Sequence, residues 1–72
     1  MKYNNQSNTY AIILDKHAGL YYPAKVKDII LIDAFDDCLI RTELNDVVVV
    51  PMRNLYETYY DMITALNIAN KD

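Results

Sequence analysis

Acid–base or nucleophilic chemistry in this chain would have to be assembled from very few groups, because its 72 residues include one cysteine, Cys38, one histidine, His17, and one serine, Ser7. A Cys38/His17 pair is the one conceivable nucleophile, since an imidazole next to a thiol lowers its pKa and yields the reactive thiolate. The surrounding patterns point elsewhere. Cys38 sits in an apolar strand pattern, where a free cysteine acts as a small hydrophobe, and His17 sits in a polar turn. Asp33, Asp36 and Asp37 could offer oxygen ligands to a hard cation, but the stretch lacks the glycine and the distal glutamate of a calcium loop. These carboxylates read as a turn whose side chains bond nearby backbone amides. The chain is therefore expected to be a non-enzyme, with no catalytic residue, metal or cofactor.

Binding is the remaining class. Lys16, Lys25 and Lys27 beside Tyr21 form the outline of a basic, aromatic strip of the kind that holds single-stranded nucleic acid by charge and stacking. Three lysines are a thin footprint, and they also suit an edge strand protected against edge-to-edge association. The acidic residues Asp28, Asp33, Asp36, Asp37, Glu43 and Asp46 offer the opposite surface, a negative face for a basic partner or an imitation of nucleic acid. Tyrosine is the other excess, with seven in the chain. A tyrosine ring has a rigid apolar body and a polar tip, which suits interfaces. Tyr3, Tyr21 and Tyr60 cannot all be core, so Tyr21, Tyr22, Phe35, Asp36, Asp37 and Tyr60 are the candidate partner contacts.

Composition sets the frame for these surfaces. Net charge is −3, unevenly spread: residues 1–27 hold four lysines and one aspartate, and residues 28–72 hold nine acids and three bases. An acidic body disfavours broad contact with a phosphate backbone, so nucleic acid is not the expected partner. The apolar fraction of 53% is ample for a globular core. No run approaches the roughly 20 apolar residues of a membrane span. A polar amino terminus without the apolar stretch of a secretory signal leads to an expectation of a soluble, cytoplasmic protein. The lone cysteine excludes an internal disulfide and a multi-cysteine zinc site. Asn, Ile, Tyr and Lys supply 27 of the 72 residues. That bias is typical of AT-rich coding sequence and hints at a low-GC bacterium, a virus or a mobile element; for a viral chain the compartment would be the host cytoplasm.

The elements that must position these residues can be read in order. Residues 1–8 lack periodicity and read as a flexible arm, leaving one domain over residues 9–72. Residues 9–14 are β-branched, aromatic and aliphatic, and end at a polar turn with Gly19, which can take a positive φ. Beyond it Tyr22, Ala24 and Val26 alternate with Tyr21, Pro23, Lys25 and Lys27, placing one set inward and the lysines outward. The alternation breaks at Asp28, which predicts a bulge or bend near Lys27-Asp28. Pro23 has no amide hydrogen and so places its part of the strand at an edge or a start.

Residues 38–43 read as a strand with Cys38, Ile40 and Thr42 on one face, followed by a tight connection at Leu44-Asn45-Asp46. Four consecutive valines, 47–50, read as a central strand covered on both faces and ended by Pro51. A C-terminal helix over residues 58–70 has Thr58 as N-cap and Asp61 as a weak capping box. Its apolar stripe is Tyr59, Met62, Ile63, Leu66 and Ala69, with Tyr60 and Ile68 off it.

Ala11, the spaced Gly19, Tyr21-Tyr22-Pro23-Ala24-Lys25-Val26, Cys38-Leu39-Ile40 and the closing Asn54-Leu55 together resemble Tudor-type, SH3-like barrels over residues 9–56. The resemblance implies an α+β fold, mainly β: a small antiparallel barrel of four or five strands capped by a C-terminal helix. Tudor domains commonly bind methylated lysine or arginine in an aromatic cage by cation–π attraction. Of the usual cage positions Tyr22 matches, the others fall near Ile13, Thr42 and Asn45, and Phe35 is the candidate substitute. The resemblance bears more on fold than on function. The expected function is a non-catalytic interaction module that binds a partner protein or self-associates, dimerisation being a further source of stability at this size. Two alternatives stand beside it: a viral or mobile-element inhibitor with an acidic face, and a weak single-stranded nucleic-acid binder.

Overall fold

A computed structural model describes residues 9–71; the arm expected over residues 1–8, with Tyr3, lies outside the described residues. Five antiparallel strands and one C-terminal helix make up the fold, in the order β1 (Tyr10–Asp15), β2 (Leu20–Ile32), β3 (Asp37–Thr42), β4 (Val47–Pro51), β5 (Leu55–Tyr56) and α1 (Tyr59–Ala69). A short 3-10 turn, Met52–Asn54, connects β4 to β5. The sheet order is β4-β3-β2-β1-β5, so the long β2 is central, with β4 and β5 at the two edges.

β2 serves two partners in succession. Its first half pairs with β1, from Leu20 opposite Asp15 to Lys25 opposite Tyr10, and its second half pairs with β3 from Val26 opposite Thr42 to Ile32 opposite Cys38. The register slips between Val26 and Asp28, at the bulge the lost alternation predicted, and again between Ile29 and Leu31. Each bulge adds a residue and increases the local twist, which bends the strand. The two extra residues also account for the run Ile29-Ile30-Leu31-Ile32 being apolar on both parities: the residues facing β3's buried side are Val26, Ile29 and Ile32, three apart rather than two.

The inner face of the bent sheet holds the main core, formed by Ala11, Ile13, Val26, Cys38, Ile40 and Val50, with Ala24, Ile29, Val48, Met52 and Leu55 packed against it. β3 shows the simplest alternation, Cys38, Ile40 and Thr42 buried and Asp37, Leu39 and Arg41 less so. Thr42 is the buried polar member, and its hydroxyl accepts from the amides of Leu44 (3.2 Å) and Asp46 (3.3 Å), which secures the β3–β4 connection. Gly19 adopts φ +72 and Asn45 φ +70, the left-handed values these two turns require.

α1 packs on β1, β2 and β5. Ile12 points opposite to Ala11 and Ile13 and is nevertheless buried, as is Met62 of the helix. On the same parity as Ile12, Tyr10 meets Tyr59 edge-to-face with ring centroids 5.8 Å apart. The helix therefore covers the outer face of the β1 half of the sheet. Thr58 caps it as expected, its hydroxyl accepting from the Asp61 amide at 3.0 Å. At the other end the stripe departs from expectation: Ala69 is exposed and Asn70 takes the sheet-facing position, four residues after Leu66.

One expectation is overturned. The valines of β4 were placed in a central strand covered on both faces, and β4 is an edge strand with Val47 51% and Val49 64% exposed. β2 lies between β1 and β3 as a whole strand, but its first half, with Lys25, pairs with β1 alone and so has an open side, as Pro23 suggested. A run of β-branched residues satisfies strand propensity wherever the strand sits, and pairing depends on how far the bent β2 carries β3 and β4 around.

Candidate functional site

The sheet is not closed between β4 and the β1–β2 hairpin. An open cleft of about 510 Å³ occupies that seam, lined by Ile13, Tyr22 and Lys16 on one side and by residues 48–51 with Asn54 on the other. Tyr22 is on the inward parity with Ala24 and Val26, directly opposite Ile13, yet is partly exposed because it faces this opening. The cleft thus has an apolar floor, with Tyr21, Tyr22, Lys16 and Asn54 as the lining residues that carry polar groups.

A second feature adjoins it. On the outer face of the β2-β3-β4 half, Leu31, Leu39 and Val49 form one cross-strand row, and Asp28, Arg41 and Val47 form the next. Leu31 is 59% exposed, and α1 lies over the other half of the sheet. Arg41 Nη1 stands 3.8 Å from Asp28 Oδ2, so the charges in this patch offset one another, with Asp28 Oδ1 left without a partner.

The free edge of β4 can be read group by group. Thr42 N–H donates to the Asp46 carbonyl (2.9 Å) and Met52 N–H donates to the Asp36 carbonyl (2.8 Å). With the β3–β4 register, this makes Ile40/Val48 and Cys38/Val50 the hydrogen-bonded pairs, because such pairs alternate along an antiparallel ladder. Val47 and Val49 therefore direct their N–H and C=O groups away from β3. Pro51 has the same outward orientation and no N–H to leave unpaired, which suits an edge.

The remaining candidates are dispersed. Tyr21 is half-buried and also lines the cleft, and its backbone is bonded to Asn70. Tyr60 is exposed in the first turn of α1. Phe35 is 84% exposed at the tip of the 33–37 turn. In that turn Asp33 Oδ1 accepts from the amides of Phe35 (2.7 Å) and Asp37 (3.1 Å), so the carboxylate organises the turn. Asp36 adopts φ +65 there. No group of three or more metal-ligating side chains is assembled among the described residues.

The lysines do not form one strip. Lys25 Nζ is 3.8 Å from Glu43 Oε2 and 6.0 Å from the Tyr10 ring centre, and Lys27 Nζ donates to Asn45 Oδ1 at 3.3 Å. Lys16 belongs to the turn at the opposite end of the hairpin and faces the cleft. Cys38 is wholly buried, while His17 is exposed in that same turn, its amide donating to Asp15 Oδ1 at 3.0 Å. Burial pushes the Cys38 thiol pKa up, and the carboxylates of Asp37, Asp33 and Asp36 push it further the same way, opposite to what a nucleophilic thiol requires.

Tyr22, singled out from the sequence, lines this cleft, whereas the β4 edge and its outer row were not anticipated. The missing signal was the absence of any charge between Asp46 and Arg53, unusual for an exposed edge. Among the described residues no helix is long and apolar enough to cross a membrane. Comparison with protein-family models, with curated proteins and with solved structures finds no match to this chain.

Proposed function

We propose that this chain is a non-catalytic interaction module on an SH3-like barrel, and that it binds an extended segment of a partner protein in the seam between the β1–β2 hairpin and β4. The strand order β4-β3-β2-β1-β5, the bent β2 and the 3-10 turn before β5 support the barrel reading. The observation that carries the binding reading is the open cleft, where Tyr22 and Lys16 face the β4 edge across an apolar floor. An extended peptide can combine apolar pockets with main-chain hydrogen bonds at such a place. Tyr22 supplies flat apolar area and a hydroxyl, and Lys16 favours a partner with a carboxylate near that end. Affinity capture of the partner followed by titration is the test: Tyr22→Ser and Lys16→Glu should each weaken binding at least tenfold with the fold retained. Unchanged affinity in both variants would overturn the assignment of the cleft.

A second reading draws on the 33–37 turn. Phe35 projects there beside Asp36, an apolar tip within a local negative charge, which suits a basic groove on a larger enzyme. An accessory inhibitor encoded by a virus or mobile element would use the turn in this way. Double charge reversal at Asp36 and Asp37 should then abolish partner capture and leave the cleft variants without effect.

A further inference from the structure

We infer that residues 1–8 of this chain dock along the open side of the second half of β2, continuing β1 around the bend and setting Lys2 against the 33–37 turn. Neither Tyr22 nor Lys16 nor the β4 edge takes part, so the docking stands or falls apart from the cleft assignment.

Thr9 fixes where this segment joins the sheet. Its carbonyl accepts from the Val26 N–H at 2.9 Å, and because β1 and β2 are antiparallel, residue 8 and those before it lie in line with the part of β2 that runs on to Ile32. Beyond Val26, β2 pairs with β3 alone, so among the described residues no strand continues along the side that β1 occupied. Ile32 turns its backbone groups to that side: Leu31 pairs with Leu39 and the Asp33 N–H donates to the Asp37 carbonyl (2.9 Å), which leaves Ile32 between them facing away from β3. Ile30, Leu31 and Ile32 are 44%, 59% and 39% exposed. An open apolar edge of this kind is a template for another strand, and the chain's own residues 1–8 are already in register with it. Eight extended residues span about 26 Å and the six from 27 to 32 about 20 Å, so the segment reaches the turn. The bend at Lys27-Asp28 falls beside Ser7 and Asn8, and both residue types accept turn dihedrals.

Charge and hydrogen bonding agree with the backbone. The register continued from Thr9 and Val26 sets Ser7 opposite Asp28 and Lys2 opposite Asp33. A segment that skips both bulges of β2 instead sets Asn8 beside Asp28 and Asn4 opposite Asp33, with Lys2 past it over the turn. In either register a hydroxyl or carboxamide donor stands beside Asp28, whose Oδ1 is buried without a partner among the described residues. In either register the Lys2 ammonium also arrives at the turn of Asp33, Asp36 and Asp37. Residues 28–40 hold four aspartates and no base, and neither ion pair among the described residues uses the carboxylates of that turn. The contact is a surface one, so salt weakens it.

Amide exchange of the full chain, read residue by residue by NMR, tests the docking. The Ile32 amide should exchange about tenfold or more slowly in the wild-type chain than in Asn5→Pro, which breaks the pairing in either register, and Lys2→Glu and added salt should each speed it in the same direction. The amides of Ile13 and Ile40, in the β1–β2 and β3–β4 ladders, should keep their rates and so report an intact fold. Position is read separately by a spin label on Asn4→Cys in a Cys38→Ala background, which should broaden the amides of Ile30 to Asp37 most strongly and those of α1 least. Spin-labelled chains mixed with isotope-labelled chains that carry no spin label should produce no broadening. An Ile32 amide that exchanges at its unprotected rate in the wild-type chain overturns the proposal, as does protection that both substitutions leave unchanged. Broadening spread evenly over the domain overturns it equally, and so does broadening passed between chains, which would assign the segment to a second copy.

Discussion

The side-chain amide of Asn70 closes a two-way hydrogen-bonded pair with the backbone of Tyr21: Oδ1 accepts from the Tyr21 N–H at 2.8 Å and Nδ2 donates to the Tyr21 carbonyl at 2.9 Å. One residue at the end of α1 thus stands in for a strand along the open side of β2. That side is open because the first half of β2 pairs only with β1, using alternate residues. The outward groups of Tyr21 are met by Asn70, the outward carbonyl of Lys25 accepts from the Glu43 amide at 3.0 Å, and Pro23 between them has no N–H to satisfy. The proline at an edge-like position and the terminal asparagine solve the same problem.

Asn70→Ala leaves both Tyr21 groups without their partner in a part-buried setting. Losing them is expected to cost about 1–3 kcal/mol. Chemical denaturation should show the loss, and hydrogen exchange at Tyr21 should accelerate beyond the global change. Asn70→Asp keeps the acceptor and loses the donor, so it should recover part of the difference.

Met62→Ala removes the most buried side chain of α1 from the outer face of β1. A cost of about 2–5 kcal/mol is expected. In a domain of this size such a loss is comparable to the total stability, so the thermal midpoint should fall by tens of degrees or folding should fail. Ile68→Ala, on the exposed side of the same helix, should change stability by less than about 0.5 kcal/mol, and comparison of the two melting curves separates the faces.

Gly19→Ala tests backbone strain without steric complication. Gly19 holds φ +72, and an added Cβ would meet nothing within 4 Å. The expected loss of about 1–2 kcal/mol therefore comes from the left-handed conformation alone, measurable as a lower denaturation midpoint at unchanged slope.

Cys38 couples stability to alkaline pH. Its folded-state pKa is raised from the ordinary value of 9.0 by burial first and by Asp37, Asp33 and Asp36 next. The unfolded thiol thus loses its proton at lower pH than the folded one. The contribution is fully present below pH 9 and is lost as pH climbs from there through the folded pKa. Cys38→Ala should lower stability at neutral pH by lost packing and should show a shallower decline above pH 9, read from denaturation series of both proteins.

Local chemistry determined the pieces of this molecule. A β-branched and aliphatic run gave β1, period-two alternation gave the first half of β2 and β3, Gly19 and the Leu44-Asn45-Asp46 connection marked turns, Thr58 marked the helix start, and the broken phase at Lys27-Asp28 marked the first bulge. Each depends on a few neighbouring residues and their dihedral preferences, so each is legible in the chain itself. Tertiary structure decided what faces what. Four valines read as a fully covered strand, and β4 became an edge because the bends in β2 carry β3 and β4 around without bringing β4 to β1. Ile12 is buried because α1 happens to lie over it, and Asn70, polar and terminal, turns inward because Tyr21 leaves two backbone groups for it. Burial and hydrogen-bond satisfaction are properties of pairs of distant residues, and only the assembled sheet brings those pairs together.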